Sequence, residues 1–216
     1  MNVAKNRALL VEELSKNTQC KDIAYKDANL KISWLNQIHS SEVAIIEDNK
    51  DIELVQNADA QITRLPNVAL AILTADCLPV LISDINGEVV ASVHCGWRGL
   101  RNNILKNTIE KMQVDTKNLQ VWLGPCICPN CYEVGAELRD EFLILSDKFN
   151  IAFKESNKDG KFLANLPLIA TIQLAQLGVK SIFNSALCTY ENKELFYSYR
   201  REKITGRICS LIWKMK

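Results

Sequence analysis

Histidine is nearly absent. The 216-residue chain has two, His39 and His94, so no chemistry that needs several imidazoles can be built from it. Proline (5) and glycine (8) are sparse, and no Pro/Gly/Ser-rich stretch divides the chain, which argues against modules strung on flexible linkers. Net charge is lacking too. Lys+Arg of 26 against Asp+Glu of 25 leaves +1, so no global field draws in a nucleic-acid backbone or an anionic membrane, and any anion must be met locally. Long apolar runs are also missing. The most apolar stretch, residues 65–83, is interrupted by Pro66, Asp76 and Pro79 and falls short of the roughly 20 residues of a membrane span. The opening MNVAKNRALLVEELSK carries charges throughout and has no apolar signal core. The eight cysteines are therefore expected to be reduced thiols in a cytoplasmic protein rather than a secreted disulfide framework. Neither GxGxxG nor a Walker-type loop is present.

What is there is a 48% apolar chain, long enough to bury a sizeable core. Residues 3–15 have the mixed spacing of an amphipathic helix; 31–38 and 43–47 read as strands, with His39 at the exit of the first. Residues 68–75, 79–85 and 88–95 are apolar strand-like runs. Helical periods follow over 99–112, 134–145 and 166–177, separated and closed by strands at 119–123, 179–183 and 206–213. The polar stretch 155–161 reads as a loop. The expectation is a single α/β domain over residues 1–216, with mixed, largely antiparallel sheets and helices packed on their faces.

Asn86-Gly87 between two apolar runs is a strong hairpin signal. With those two residues as the turn, Pro79 faces His94 and Cys77 faces Gly96. Cys77 and His94 then become diagonal neighbours on one sheet face, about 7 Å apart at Cα, while Asp76 points to the other face. A thiolate beside an imidazole serves either a transition-metal site or a nucleophile with its base. His39 favours the metal, because Cys-His₂ with an open fourth position is the catalytic zinc pattern. Cys126, Cys128 and Cys131 form a Cys-x-Cys-x₂-Cys cluster with no fourth ligand in view, and it is expected to bind no metal of its own. Arg98, ahead of the helix expected at Gly99, and Arg200 and Arg201, in SYRR, are candidate phosphate contacts.

The segments QIHSSEV, NADAQIT, LTADCLPVLI, VHCGWRGL, GPCICPNCYEVG and CTYENKELFYSYRREKITGRICSLIW occur in this order. They resemble the bacterial laccase-domain family, also called multicopper polyphenol oxidases, from about Val3 to Trp213. The resemblance implies His39, Cys77 and His94 as metal ligands, zinc as the metal, and phosphorolysis of adenosine, inosine and methylthioadenosine to free base and ribose 1-phosphate. Some adenosine deamination is implied as well. Partners would be the purine nucleoside and phosphate, with no nucleic acid and no membrane. Asp76, inside the LTADC motif, joins the arginines as a substrate-side candidate. The chain departs from the family pattern at Cys95, Cys126, Cys128 and Asn165, and by lacking a strand and a Gly-Gly loop ahead of the first helix, which is expected to open the site or change subunit contacts.

Copper oxidase chemistry needs more imidazoles than two histidines supply, although one copper can occupy the zinc site. Two other readings stand beside the phosphorylase. One is a metal-free hydrolase with Cys77 as nucleophile and His94 as base. The other is a peptidoglycan-precursor editing factor or binding module in which zinc is structural.

Overall fold

The computed structural model describes residues 3–16 and 30–215. By its internal contacts the chain divides between Leu30 and Lys31. The first unit contributes helix α1 (Val3–Lys16), close to the helix read from the sequence. The second unit carries every other described element, and no described helix is long and apolar enough to cross a membrane.

In chain order the second unit runs β1 (Lys31–Ser33), β2 (Leu35–Asn36), β3 (Val43–Ile46), α2 (Asn49–Glu53), β4 (Gln56–Asn57), β5 (Ala60–Thr63), β6 (Val68–Thr74), β7 (Leu78–Asp84) and β8 (Val90–Cys95). It continues through α3 (Trp97–Arg101), α4 (Ile104–Met112), β9 (Leu119–Leu123), β10 (Glu133–Gly135), α5 (Ala136–Leu143), β11 (Phe153–Glu155), β12 (Lys161–Ala164), α6 (Leu166–Gln176), β13 (Ser181–Asn184) and β14 (Ile208–Ile212). A six-stranded sheet of order β13-β9-β7-β8-β5-β3 is antiparallel at its centre and parallel at both edges. The fold is thus the mixed α/β arrangement expected. β1-β6-β14 form a second sheet, β10-β12-β11 a third, and β2-β4 a short parallel pair.

Alternation along the strands decides what each face meets. Leu78, Val80 and Ile82 of β7 and Ala91, Val93 and Cys95 of β8 join the core that includes Leu105 and Ile109 of α4 and Ile169 and Leu174 of α6. Each fully buried Leu, Val or Ile among them contributes about 1.5–3 kcal/mol. On the opposite face Val90 packs with Leu70 and Ile72 of β6 in a second core. Gln61, on that same face, ties the two sheets by donating from Nε2 to the carbonyls of Ser33 (3.3 Å) and Ala71 (2.9 Å). His94, two residues after Ser92, shares this inter-sheet face.

Four local expectations change. The 31–38 run breaks at Trp34 into β1 and β2. The helix read over 99–112 is two helices, parted where Asn103 takes a left-handed conformation (φ 62°) that Asn tolerates better than most residues. Residues 133–135 form β10 before the helix starts at Ala136, because Glu133, Val134 and Gly135 pair with 161–163. The 155–161 loop is the turn of the β11–β12 hairpin.

Candidate metal centre

The β7–β8 register is the one read from the sequence: Pro79 pairs with His94 and Leu78 with Cys95. The turn is longer than two residues. Asp84 closes it by accepting from the amides of Asn86 (3.0 Å) and Val89 (2.8 Å), and the loop grows symmetrically, so the pairing is unchanged. Cys77 lies just ahead of β7 and His94 near the end of β8. His39 enters from the segment after β2, where Gln37 is clamped to the end of β6 through both the amide and the carbonyl of Leu73 (2.8 Å each). Ligand atoms of His39, Cys77 and His94 all lie within 4.8 Å of one another. The two imidazoles meet edge to face, centroids 4.7 Å apart. Gly96 makes room for them: a Cβ there would sit 3.2 Å from His39 Cδ2 and 3.3 Å from Cys77 Sγ.

Asp59 organises the centre, and sequence reasoning missed it. Fully buried between β4 and β5, its carboxylate accepts from His94 Nδ1 at 2.8 Å. It also accepts from the amides of Ile38 (3.2 Å), His39 (3.0 Å) and Ser40 (2.6 Å) and from the Ser40 hydroxyl (2.8 Å). Those amide bonds hold His39 at φ 59°, a left-handed conformation. Because an ionised carboxylate only accepts, Nδ1 of His94 carries its proton and Nε2 is left to face Cys77. Burial pushes Asp59 up, but hydrogen bonds from His94 and Ser40 outweigh it and hold the carboxyl at about 2. Burial likewise pushes His94 down and Cys77 up. Hydrogen bonds to Asp59 and Cys77 raise His94 to about 9, and those from His39 and His94 bring Cys77 to about 6. A thiolate and two oriented imidazoles form a donor set that suits zinc or copper.

The three side chains border a cavity of about 580 Å³ that Thr74, Tyr199 and Arg207 also line. Thr74 Oγ1 is buried there without a hydrogen-bond partner. The arginines singled out from sequence do not line this cavity. Arg98 lies within the first turn of α3, exposed and stacked 4.6 Å over the Trp97 ring, rather than ahead of a helix. Arg200 lines a separate 430 Å³ cavity with Tyr132 and Glu137 and donates to the Glu133 carbonyl. Arg201 directs its guanidinium to the carbonyls of Thr189, Tyr190 and Phe196. Asp76 does not border the cavity either. At φ 100° it accepts from the Thr189 hydroxyl (2.7 Å) and the Arg200 amide (2.6 Å), fixing the 189–200 segment beside Cys77. Arg207, in the TGR stretch, was legible only as one cation among many.

The loop cysteines also rearrange the expectation. Cys126 turns aside, its thiol toward the Ile127 carbonyl, while Cys188 and Glu191 join Cys128 and Cys131 in a second cluster with potential metal ligands within 4.8 Å.

The chain is similar to known proteins along most of its length. A purine nucleoside phosphorylase of Pseudomonas aeruginosa is 39% identical over 211 residues, covering 98% of this chain and 80% of the relative. One from Escherichia coli is 39% identical over 180 residues, covering 83% and 72%. The crystal structure of a Neisseria meningitidis protein superposes with a TM-score of 0.87 at 36% identity, covering 99% of this chain and 81% of that one. Residues 1–215 match the family model described as multi-copper polyphenol oxidoreductase laccase, and the chain belongs to that family.

Proposed function

We propose that this chain is a zinc-dependent purine nucleoside phosphorylase. It would convert adenosine, inosine or methylthioadenosine, with phosphate, to free base and ribose 1-phosphate, with adenosine deamination as a secondary activity. The observation that carries this reading is the convergence of His39, Cys77 and His94 on one cavity that also holds an unpartnered hydroxyl and a cation. At about 580 Å³ the cavity is of the size that takes a small organic ligand. The names of the Pseudomonas and Escherichia relatives support the reaction class.

His39, Cys77 and His94 would hold the metal, and Asp59 keeps His94 in the tautomer that coordinates through Nε2. A zinc ion there supplies a Lewis acid, able to bring the ionisation of water toward neutrality or to polarise a departing purine. Thr74 Oγ1 offers a hydrogen bond to a sugar or phosphate oxygen, relieving a buried hydroxyl that costs about 1–3 kcal/mol unpaired. Arg207, the arginine bordering this cavity, is the phosphate contact. Arg98 and Arg200 stand outside it, and Asp76 and Arg201 position the 189–207 segment.

The test is release of hypoxanthine from inosine with and without phosphate. Product that requires phosphate and appears with a sugar 1-phosphate is expected; equal rates in both arms would point to a hydrolase. Arg207→Ala should raise the phosphate requirement more than the nucleoside requirement, and more than Arg98→Ala does. Losing a charge-assisted contact of about 1.5–3 kcal/mol corresponds to roughly 10–150-fold. A metal-free hydrolase is favoured by one observation, the hydrogen bonds from both imidazoles that bring Cys77 to about 6. Activity that survives metal removal and disappears on alkylation of Cys77 would select it.

A further inference from the structure

Two loops leaving the same end of the six-stranded sheet, after the parallel neighbours β9 and β13, carry a second group of cysteines. One follows β9 and contains Cys128 and Cys131, joined by a single 3₁₀ turn in which the Cys131 amide donates to the Cys128 carbonyl at 3.0 Å. The other follows β13 and contains Cys188 and Glu191. A parallel bridge locks the loops together: the Cys126 amide donates to the Leu187 carbonyl (3.2 Å) and the Thr189 amide to the Cys126 carbonyl (3.0 Å). This register sets Cys128 beside Cys188, whose sulfur accepts from the Cys128 amide at 3.3 Å. The amides of Tyr190 and Glu191 also face that sulfur. Cys131 Sγ lies 3.6 Å from Glu191 Oε1.

The spacing is Cys-x₂-Cys in one loop and Cys-x₂-Glu in the other, two knuckles facing each other. The four ligand atoms lie within 4.8 Å. In a tetrahedral zinc site with bonds of about 2.3 Å to sulfur, ligand atoms stand about 3.8 Å apart, so a contraction of about 1 Å closes the shell. None of the three thiols is in a disulfide. Backbone amides aimed at a sulfur stabilise the thiolate that a metal requires. Four protein ligands with no open position form a structural site, not a catalytic one.

We propose that Cys128, Cys131, Cys188 and Glu191 form a second, structural zinc site that fastens the 124–132 loop to the 185–207 segment. The consequence reaches the first centre through hydrogen bonds. Thr189, between the two ligands of the second knuckle, donates to Asp76 next to Cys77, and the carbonyls of Thr189 and Tyr190 hold Arg201. The segment thereby anchored continues to Tyr199 and Arg207, which line the first cavity.

The experiment is metal content per chain for the full-length reduced protein equilibrated with zinc and freed of excess, alongside cobalt(II) substitution. Wild type should hold an equivalent that Cys188→Ser loses and that the His39→Ala, His94→Ala double variant keeps. Cobalt in that double variant should show strong sulfur-to-cobalt charge-transfer absorption. This readout is separate from the first centre: should the first centre bind no metal, the thiolate-bound equivalent would still be present and still depend on Cys188. Should Cys188→Ser fail to fold, Glu191→Gln, a change at an exposed side chain, gives the answer by competition with a chromophoric chelator. It should weaken zinc by at least about 10–100-fold, a loss that an outer-shell change already causes. The proposal is overturned if the His39→Ala, His94→Ala protein is metal-free. It is equally overturned if Cys188→Ser or Glu191→Gln leaves stoichiometry and affinity unchanged, or if the reduced thiols reoxidise to a disulfide in the presence of zinc.

Discussion

At the scale of single residues the centre depends on Asp59, which does not line the cavity bordered by the three ligands yet fixes two of them: the ring of His94 and the backbone of His39. Asp59→Asn keeps the volume and removes the charge, and is expected to weaken metal binding by about 10–100-fold with the fold retained, measured by chelator competition. Asp59→Ala strands the buried His94 ring and the Ser40 amide and should cost about 3–5 kcal/mol in denaturant unfolding. The acid limb follows from the sign of the shift. A carboxyl held at about 2 against an ordinary 3.8 contributes stability that is present above about pH 4 and lost as pH falls toward 2. Asp59→Asn should flatten that limb, and an unchanged acid profile would remove this role. No spacing or neighbouring residue type singles out Asp59. It stands in NADAQIT as an ordinary aspartate, and its importance comes from partners 19–35 residues away. Gly96 was equally silent, although its backbone angles are open to any residue (φ −70°). Gly96→Ala is therefore expected to fold normally and still lose metal, since its methyl meets His39 and Cys77 directly. Retention of full affinity would show that the ligands give way.

At the scale of elements, the β7–β8 hairpin was the most legible feature, because strand period and an Asn-Gly pair together fix which residues face each other. The turn is longer than the Asn-Gly pair alone predicts, without consequence, since a loop enlarged equally on both sides leaves the register alone. What was illegible was longer in range. Cys188 and Glu191 lie 57 or more residues from Cys131 in sequence, and only the β9–β13 parallel pairing brings their loops together. The hydrophobic period of residues 99–112 runs through Asn102 and Asn103 because it survives a short break that backbone conformation does not. The turn gives a test at this scale. Asp84→Ala leaves the buried Val89 amide without an acceptor and should cost about 1–3 kcal/mol. Metal affinity should fall along with stability if the hairpin sets the His94 position. A variant that loses stability alone would show that β8 is held by β5 and not by its turn.

At the scale of the whole molecule, metal and fold are linked by mass action. His39, Cys77 and His94 come from three separated segments, and the unfolded chain cannot present them together, so metal binding is biased to the native state. Free zinc at 100 times the dissociation constant of one site should stabilise the fold by about 2.7 kcal/mol. For a chain of this length each kcal/mol moves the melting temperature by about 2–4 °C, so filling one site is worth roughly 5–10 °C. Stripping the protein with a chelator should reverse the shift, and zinc should restore it. In the His39→Ala, His94→Ala variant the first centre no longer contributes, and a residual zinc-dependent shift then belongs to the 128–131 and 188–191 knuckles. A melting temperature indifferent to zinc in the wild-type chain would mean that neither cluster binds it measurably, and the metal-dependent reading of the cavity would fall with that result.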